Sequence, residues 1–102
     1  MKTSNNHNQL FSRRLKEVRL AMDLSQKNLG IMAGIDEFVA SARINRYEKG
    51  VHQASIEVVR QLAKVLEVPV AYFYTEDDDL ASLIRIWPKL DPEKKKNLLK
   101  QL

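Results

Sequence analysis

The apolar positions of this chain fall into helical stripes separated by capping and turn residues. Phe11, Leu15, Val18 and Met22 make the first stripe and predict a helix from about Gln9 to Met22. Asp23 follows, where Gly or Asn is easier, so a strained left-handed residue is expected there. Ser25 is an N-cap, and Leu24 and Leu29 are spaced as a hydrophobic staple around it. Gly34 can take the positive φ that stopping a helix after Ala33 requires. A further helix fits Ala40 to Lys49, with Ile44 and Tyr47 on its inner face and Gly50 ending it. Its outer face carries Ser41, Arg43, Asn45 and Arg46.

Ser55 caps a fourth helix that places Ile56, Val59, Ala63 and Leu66 on one face, and Val68-Pro69 ends it. Val70 to Tyr74 reads as a short fifth helix closing the core, with Tyr72 and Phe73 inside. The acidic run Thr75-Glu76-Asp77-Asp78-Asp79 lacks the alternating ligands and Gly of a calcium loop; it reads as a linker and the start of the next helix. Leu80, Leu83, Ile84 and Trp87 then form a stripe broken at Pro88. Asp91-Pro92 opens a last helix with Lys94 to Lys96 on its polar side and Leu98, Leu99 and Leu102 on the other.

The stretch from Ser25 to Gly50 resembles the helix-turn-helix of the phage-repressor-like (Xre/Cro-type) DNA-binding family. Leu24-Ser25-Gln26 opens the first motif helix, Leu29 precedes a small residue (Gly30, usually Ala), and Ala33-Gly34-Ile35 forms the turn. Ile44, Tyr47-Glu48 and Gly50 fit the closing pattern, and the resemblance extends from about Leu15 to Phe73. It implies an all-α fold: a compact five-helix repressor-like domain over residues 9–75, a flexible tail at 1–8 and a C-terminal helical extension at 76–102. It also implies that Arg19 pairs with Glu48, linking the first helix to the recognition helix. One departure stands out: the spacing between Ile35 and Ile44 exceeds the family's, with the surplus in Asp36-Glu37-Phe38-Val39-Ala40. That surplus lengthens the turn or adds a turn of helix, and Phe38 is expected to be buried.

Composition narrows the function. The chain has 102 residues, enough for one domain and too few for a second sensor or enzyme domain. It has no Cys, and its two His stand apart, so disulfides and thiolate metal sites are excluded and no metal or other cofactor is expected. No signal peptide or membrane-length apolar run is present, which predicts a soluble cytoplasmic protein with no membrane partner. The net charge of +4 is uneven: residues 1–52 hold nine Lys/Arg against five Asp/Glu, and residues 53–102 hold eight of each. The excess lies with the helix-turn-helix, as a polyanion partner favours. The N-terminal tail contributes little of it, since Lys2 is its one basic residue.

An enzyme needs nucleophile, acid-base or metal groups around a pocket, and no such set is present, so catalysis is not expected. DNA recognition needs phosphate contacts for register and base contacts for sequence. The resemblance assigns phosphate contacts to Gln26 and Lys27, and base contacts to Ser41, Ala42, Arg43, Asn45 and Arg46. Leu80, Leu83, Ile84 and Trp87 are assigned to a dimer interface, because five helices already supply a core; the rival is that the extension folds back on that core. The expected function is a sequence-specific double-stranded DNA-binding regulator, repressing as a homodimer by operator occupancy and without a small-molecule ligand. The alternative is an antitoxin-like interaction module whose C-terminal helices bind a partner protein.

Overall fold

The computed structural model describes residues 6–102, with side chains from residue 8 onward. Six α-helices follow one another: α1 (Asn6–Ala21), α2 (Gln26–Met32), α3 (Glu37–Glu48), α4 (Ile56–Leu66), α5 (Asp78–Ile86) and α6 (Pro92–Lys100). The Val70–Tyr74 segment is a 3-10 helix between α4 and α5, and Trp87–Lys89 forms a second between α5 and α6. Four of the starts are closed by side chains chosen for that task. Ser25, Ser55, Asp77 and Asp91 each accept from the backbone N–H three residues on. Gly34 ends α2 at φ +93°, and Asp23 and Glu67 adopt the left-handed conformation at φ 59° and 60°. The strain expected at Asp23 is therefore present, and Glu67, which caps the C-terminus of α4, shares it.

The core forms where α1, α2, α3, α4 and the Val70–Tyr74 3-10 helix meet. Phe11, Leu15 and Val18 of α1 are buried against Leu29, Ile44, Tyr47, Val59, Leu62, Leu66 and Phe73. Tyr72 and Phe73 lie in this core, and the Phe11 and Phe73 rings pack at 5.2 Å between centroids. Burying each large apolar side chain stabilises by about 1.5–3 kcal/mol, so this cluster carries most of the fold's stability.

Three sequence expectations need correction. The first helix starts at Asn6 rather than Gln9, so residues 6–8 belong to α1 and not to a tail; residues 1–5 and the His7 side chain lie outside what is described. Ile56 is exposed, because it is the first residue of α4 and lies past the edge of the core; Leu62 joins Val59, Ala63 and Leu66 on the buried line instead. Phe38 is not buried but 91% exposed. The surplus residues adopt helix, with Asp36 as N-cap accepting from the Phe38 N–H at 2.9 Å, and α3 thereby starts at Glu37. At about 100° per residue, Phe38 lies roughly 200° round from Ala40, which is buried, and so points away from the core.

The extension is tied to the body by a latch that starts in α1. The Arg14 side chain, 4% exposed, donates to the Thr75 carbonyl at 2.7 Å, the Glu76 carbonyl at 3.3 Å and Asp78 Oδ1 at 2.9 Å. Arg13 reaches the same carboxylate oxygen at 3.3 Å. These two guanidinium groups hold the Asp78 carboxyl below its ordinary range. From this anchor α5 turns Ala81 and part of Ile84 into the core and leaves Leu80 and Leu83 exposed. The stripe Leu80, Leu83, Ile84 and Trp87 is thus divided between two faces. Across an open apolar cleft of about 360 Å³, Leu83, Ile84 and Trp87 look towards Leu98, Leu99 and Leu102 at the end of the chain.

Candidate nucleic-acid interface

The α2–α3 pair is set by one close approach and one polar clamp. Gly30 is buried on α2, and a Cβ built there would stand 2.7 Å from Ala40 Cβ. No methyl fits in that space, so Gly30 and Ala40 let the two helix backbones touch near the start of α3. The small residue at this position is Gly because α3 passes so close.

The other end of α3 is clamped by hydrogen bonds. Arg19 Nε donates to Glu48 Oε2 at 2.5 Å, and Arg19 NH2 donates to Glu48 Oε1 at 3.0 Å. Both side chains are withdrawn from solvent, Arg19 at 9% and Glu48 at 3% exposure. The remaining Arg19 nitrogen donates to the Leu24 carbonyl at 2.8 Å. Gln26 Nε2 completes the group, donating to Glu48 Oε1 at 3.0 Å and to Asn45 Oδ1 at 3.2 Å. Ser12 Oγ donates to the Tyr47 carbonyl at 2.5 Å, and Asn8 Nδ2 to the Gly50 carbonyl at 2.9 Å. Glu48 is therefore the joint at which α1, α2 and α3 meet. A buried pair of this kind fixes orientation more than it stabilises, since desolvation offsets much of the Coulomb attraction.

The outer face of α3 presents the residues the sequence singles out. Ser41, Ala42, Arg43 and Arg46 are exposed, and Asn45 is half-buried by its bond to Gln26. Lys27 is exposed at the start of α2. The Gln26 amide hydrogens are both used within the protein, which leaves its side chain positioning α3 in the unbound state. Phe38 joins this face on the added turn. Sequence reasoning missed Ser12, Asn8 and the Arg14 latch; each acts through a backbone carbonyl, for which no sequence pattern exists. Among the described residues, no group of His, Cys, Asp and Glu has the arrangement of a metal site, and no helix is long and apolar enough to cross a membrane.

Comparison with known proteins agrees with this geometry. The Helix-turn-helix family matches residues 15–73, which run from Leu15 in α1 to Phe73 in the 3-10 helix. The cryptic phage CTXphi transcriptional repressor RstR of Vibrio cholerae is 32% identical over 96 residues, covering 87% of this chain and 81% of that one. The crystal structure of the transcriptional regulator BswR superposes with a TM-score of 0.82 at 47% identity, covering 89% of this chain and 93% of that chain. With α3 clamped through Glu48 and a family match over residues 15–73, this chain belongs to the Xre-type helix-turn-helix family of DNA-binding proteins.

Proposed function

We propose that this protein is a sequence-specific transcriptional regulator that binds double-stranded DNA as a homodimer and represses by occupying its operator. The observation that carries the reading is α3 itself, held rigidly from behind through Glu48 and uncovered along its outer face. A helix that reads bases must be fixed in register while its own side chains stay available to the major groove. Arg43 and Arg46 suit guanine O6 and N7, Asn45 suits adenine, and Ala42 suits a thymine methyl; Ser41 serves either base type. Lys27 and the start of α2 at Gln26 lie where the first motif helix crosses the phosphate backbone in this family's docking geometry.

Homodimerisation is supported by the extension. Leu98, Leu99 and Leu102 leave an apolar surface that a second copy would cover across a two-fold axis. Two recognition helices would then meet half-sites about 34–36 Å apart. The same cleft favours the second reading, an antitoxin-like module that seats a helix of another protein.

Selection of bound sequences from random duplex DNA with the full chain tests the proposal. An inverted repeat should emerge, bound by two copies in sedimentation. Arg46→Ala should cost about 1–3 kcal/mol and relax preference at one position, whereas Lys27→Ala should weaken all sequences alike. A chain that enriches no sequence and stays monomeric would transfer the reading to the partner-binding module.

A further inference from the structure

Phe38 is the most exposed aromatic among the described residues, and it sits in the first turn of α3. Helical phase puts it in line with Ala42, Asn45, Arg46 and Lys49 along the ridge farthest from the buried residues Ala40, Ile44 and Tyr47. The residues Glu37 to Val39 make up about 4–5 Å of the helix at the end that, in helix-turn-helix docking, points at the base edges. This end does not suit a phosphate. Asp36 and Glu37 are acidic, and no Lys or Arg occurs from residue 36 to residue 42. Its chemistry is an apolar ring with small neighbours, Ser41 and Ala42, one turn behind it.

The major groove has one feature that such a ring can match. Adenine, guanine and cytosine present donors and acceptors there, and covering these with a phenyl group would strip their water without replacing it. Thymine presents, beside its O4 acceptor, a C5-methyl, which gains from apolar contact. We propose that Phe38 is a further specificity-determining residue, which places its ring against a thymine methyl in each half-site. This inference rests on the DNA-binding reading above and extends it to a residue outside the base-contact set given there.

The test removes the methyl and the ring separately and together. In the selected operator, each thymine is replaced in turn by deoxyuridine, and binding of the full-length wild type and of Phe38→Ala is measured at one salt concentration. The wild type should lose roughly three- to tenfold in affinity at one thymine per half-site, the scale of a buried methyl. Phe38→Ala should bind the unmodified operator more weakly by a similar factor, show no further loss at that thymine, and keep the wild-type salt dependence and melting temperature. If Phe38→Ala retains full affinity, or loses affinity while keeping the wild-type response to every thymine replacement, the inference is overturned and the DNA-binding reading stands. If the wild type selects no sequence at all, both fall.

Discussion

The helix-turn-helix body and the C-terminal extension treat apolar surface in opposite ways. In the body, Leu15, Leu29, Ile44, Leu62, Leu66 and Phe73 are fully buried, and the polar side chains among them are paired. In the extension, α5 inserts Ala81 and part of Ile84, while Leu80, Leu83, Ile86, Leu98, Leu99 and Leu102 stay exposed. The body encloses a core of its own, although Leu20, Met32, Phe38, Val51 and Ile56 lie exposed on it. The extension is latched onto it by Arg14 yet leaves its own apolar face uncovered, which is how a surface for association differs from a core. In the proposed homodimer, stability and assembly would therefore be carried by separate parts of a short chain.

Substitutions can break this contrast or sharpen it. Glu48→Ala should have the largest effect, about 3–5 kcal/mol, because it leaves Arg19 charged, withdrawn from solvent and unpaired. Denaturant unfolding of this variant, of Arg19→Ala and of the double variant measures the coupling, and additive losses would deny that the pair acts as a unit. Next, Leu62→Ala in the body should cost about 2–5 kcal/mol, whereas Leu99→Ala in the extension should change monomer stability by less than about 0.5 kcal/mol. Leu99→Ala should instead weaken self-association in sedimentation; equal unfolding losses for the two would erase the distinction drawn here.

Gly30→Ala should cost about 1–3 kcal/mol, since the new methyl meets Ala40 well inside van der Waals distance. Thermal melting checks it, and an unchanged midpoint would mean that α3 gives way freely. The smallest effect concerns the latch. The Asp78 carboxyl titrates below its ordinary value of 3.8, chiefly through its hydrogen bonds to Arg14 and Arg13. Its folded pKa is depressed, so its contribution is present above the unfolded pKa and is lost as pH falls through the folded one. Asp78→Asn should therefore lower stability slightly at neutral pH and flatten the decline below about pH 4. Carboxyl titration by NMR reads the group directly, and a normal Asp78 pKa would remove the carboxylate from the latch and leave it to the Thr75 and Glu76 carbonyls.

Much of the body was legible in the sequence because its signals are local. Ser25, Ser55 and Asp91 cap the helices they were expected to open, and Gly34 stops α2. The Arg19–Glu48 pair was reachable through the family resemblance, since its partners lie 29 residues apart with no local pattern joining them. Phe38 was misread because its direction depends on whether the surplus residues coil or continue the helix, and hydrophobicity alone favours the interior. The Arg14 latch was not legible, for its partners lie more than 60 residues away and two are carbonyls. The extension's stripes were visible as stripes. Their division between inward Ala81 and Ile84 and outward Leu80 and Leu83 required the path of the chain.

The contact between Gly30 and Ala40 gives a buried position control over what happens at the surface. α3 is held at its far end through Glu48, so a methyl at residue 30 would push only its near end outward, from 2.7 Å towards the 3.4–4 Å of ordinary contact. The helix would then pivot, and the side chains nearest its tip would travel farthest. A buried position would thus set the pitch of α3. Under the proposed reading of DNA by α3, variation in what the protein recognises would arise there without any exchange among the residues that face outward.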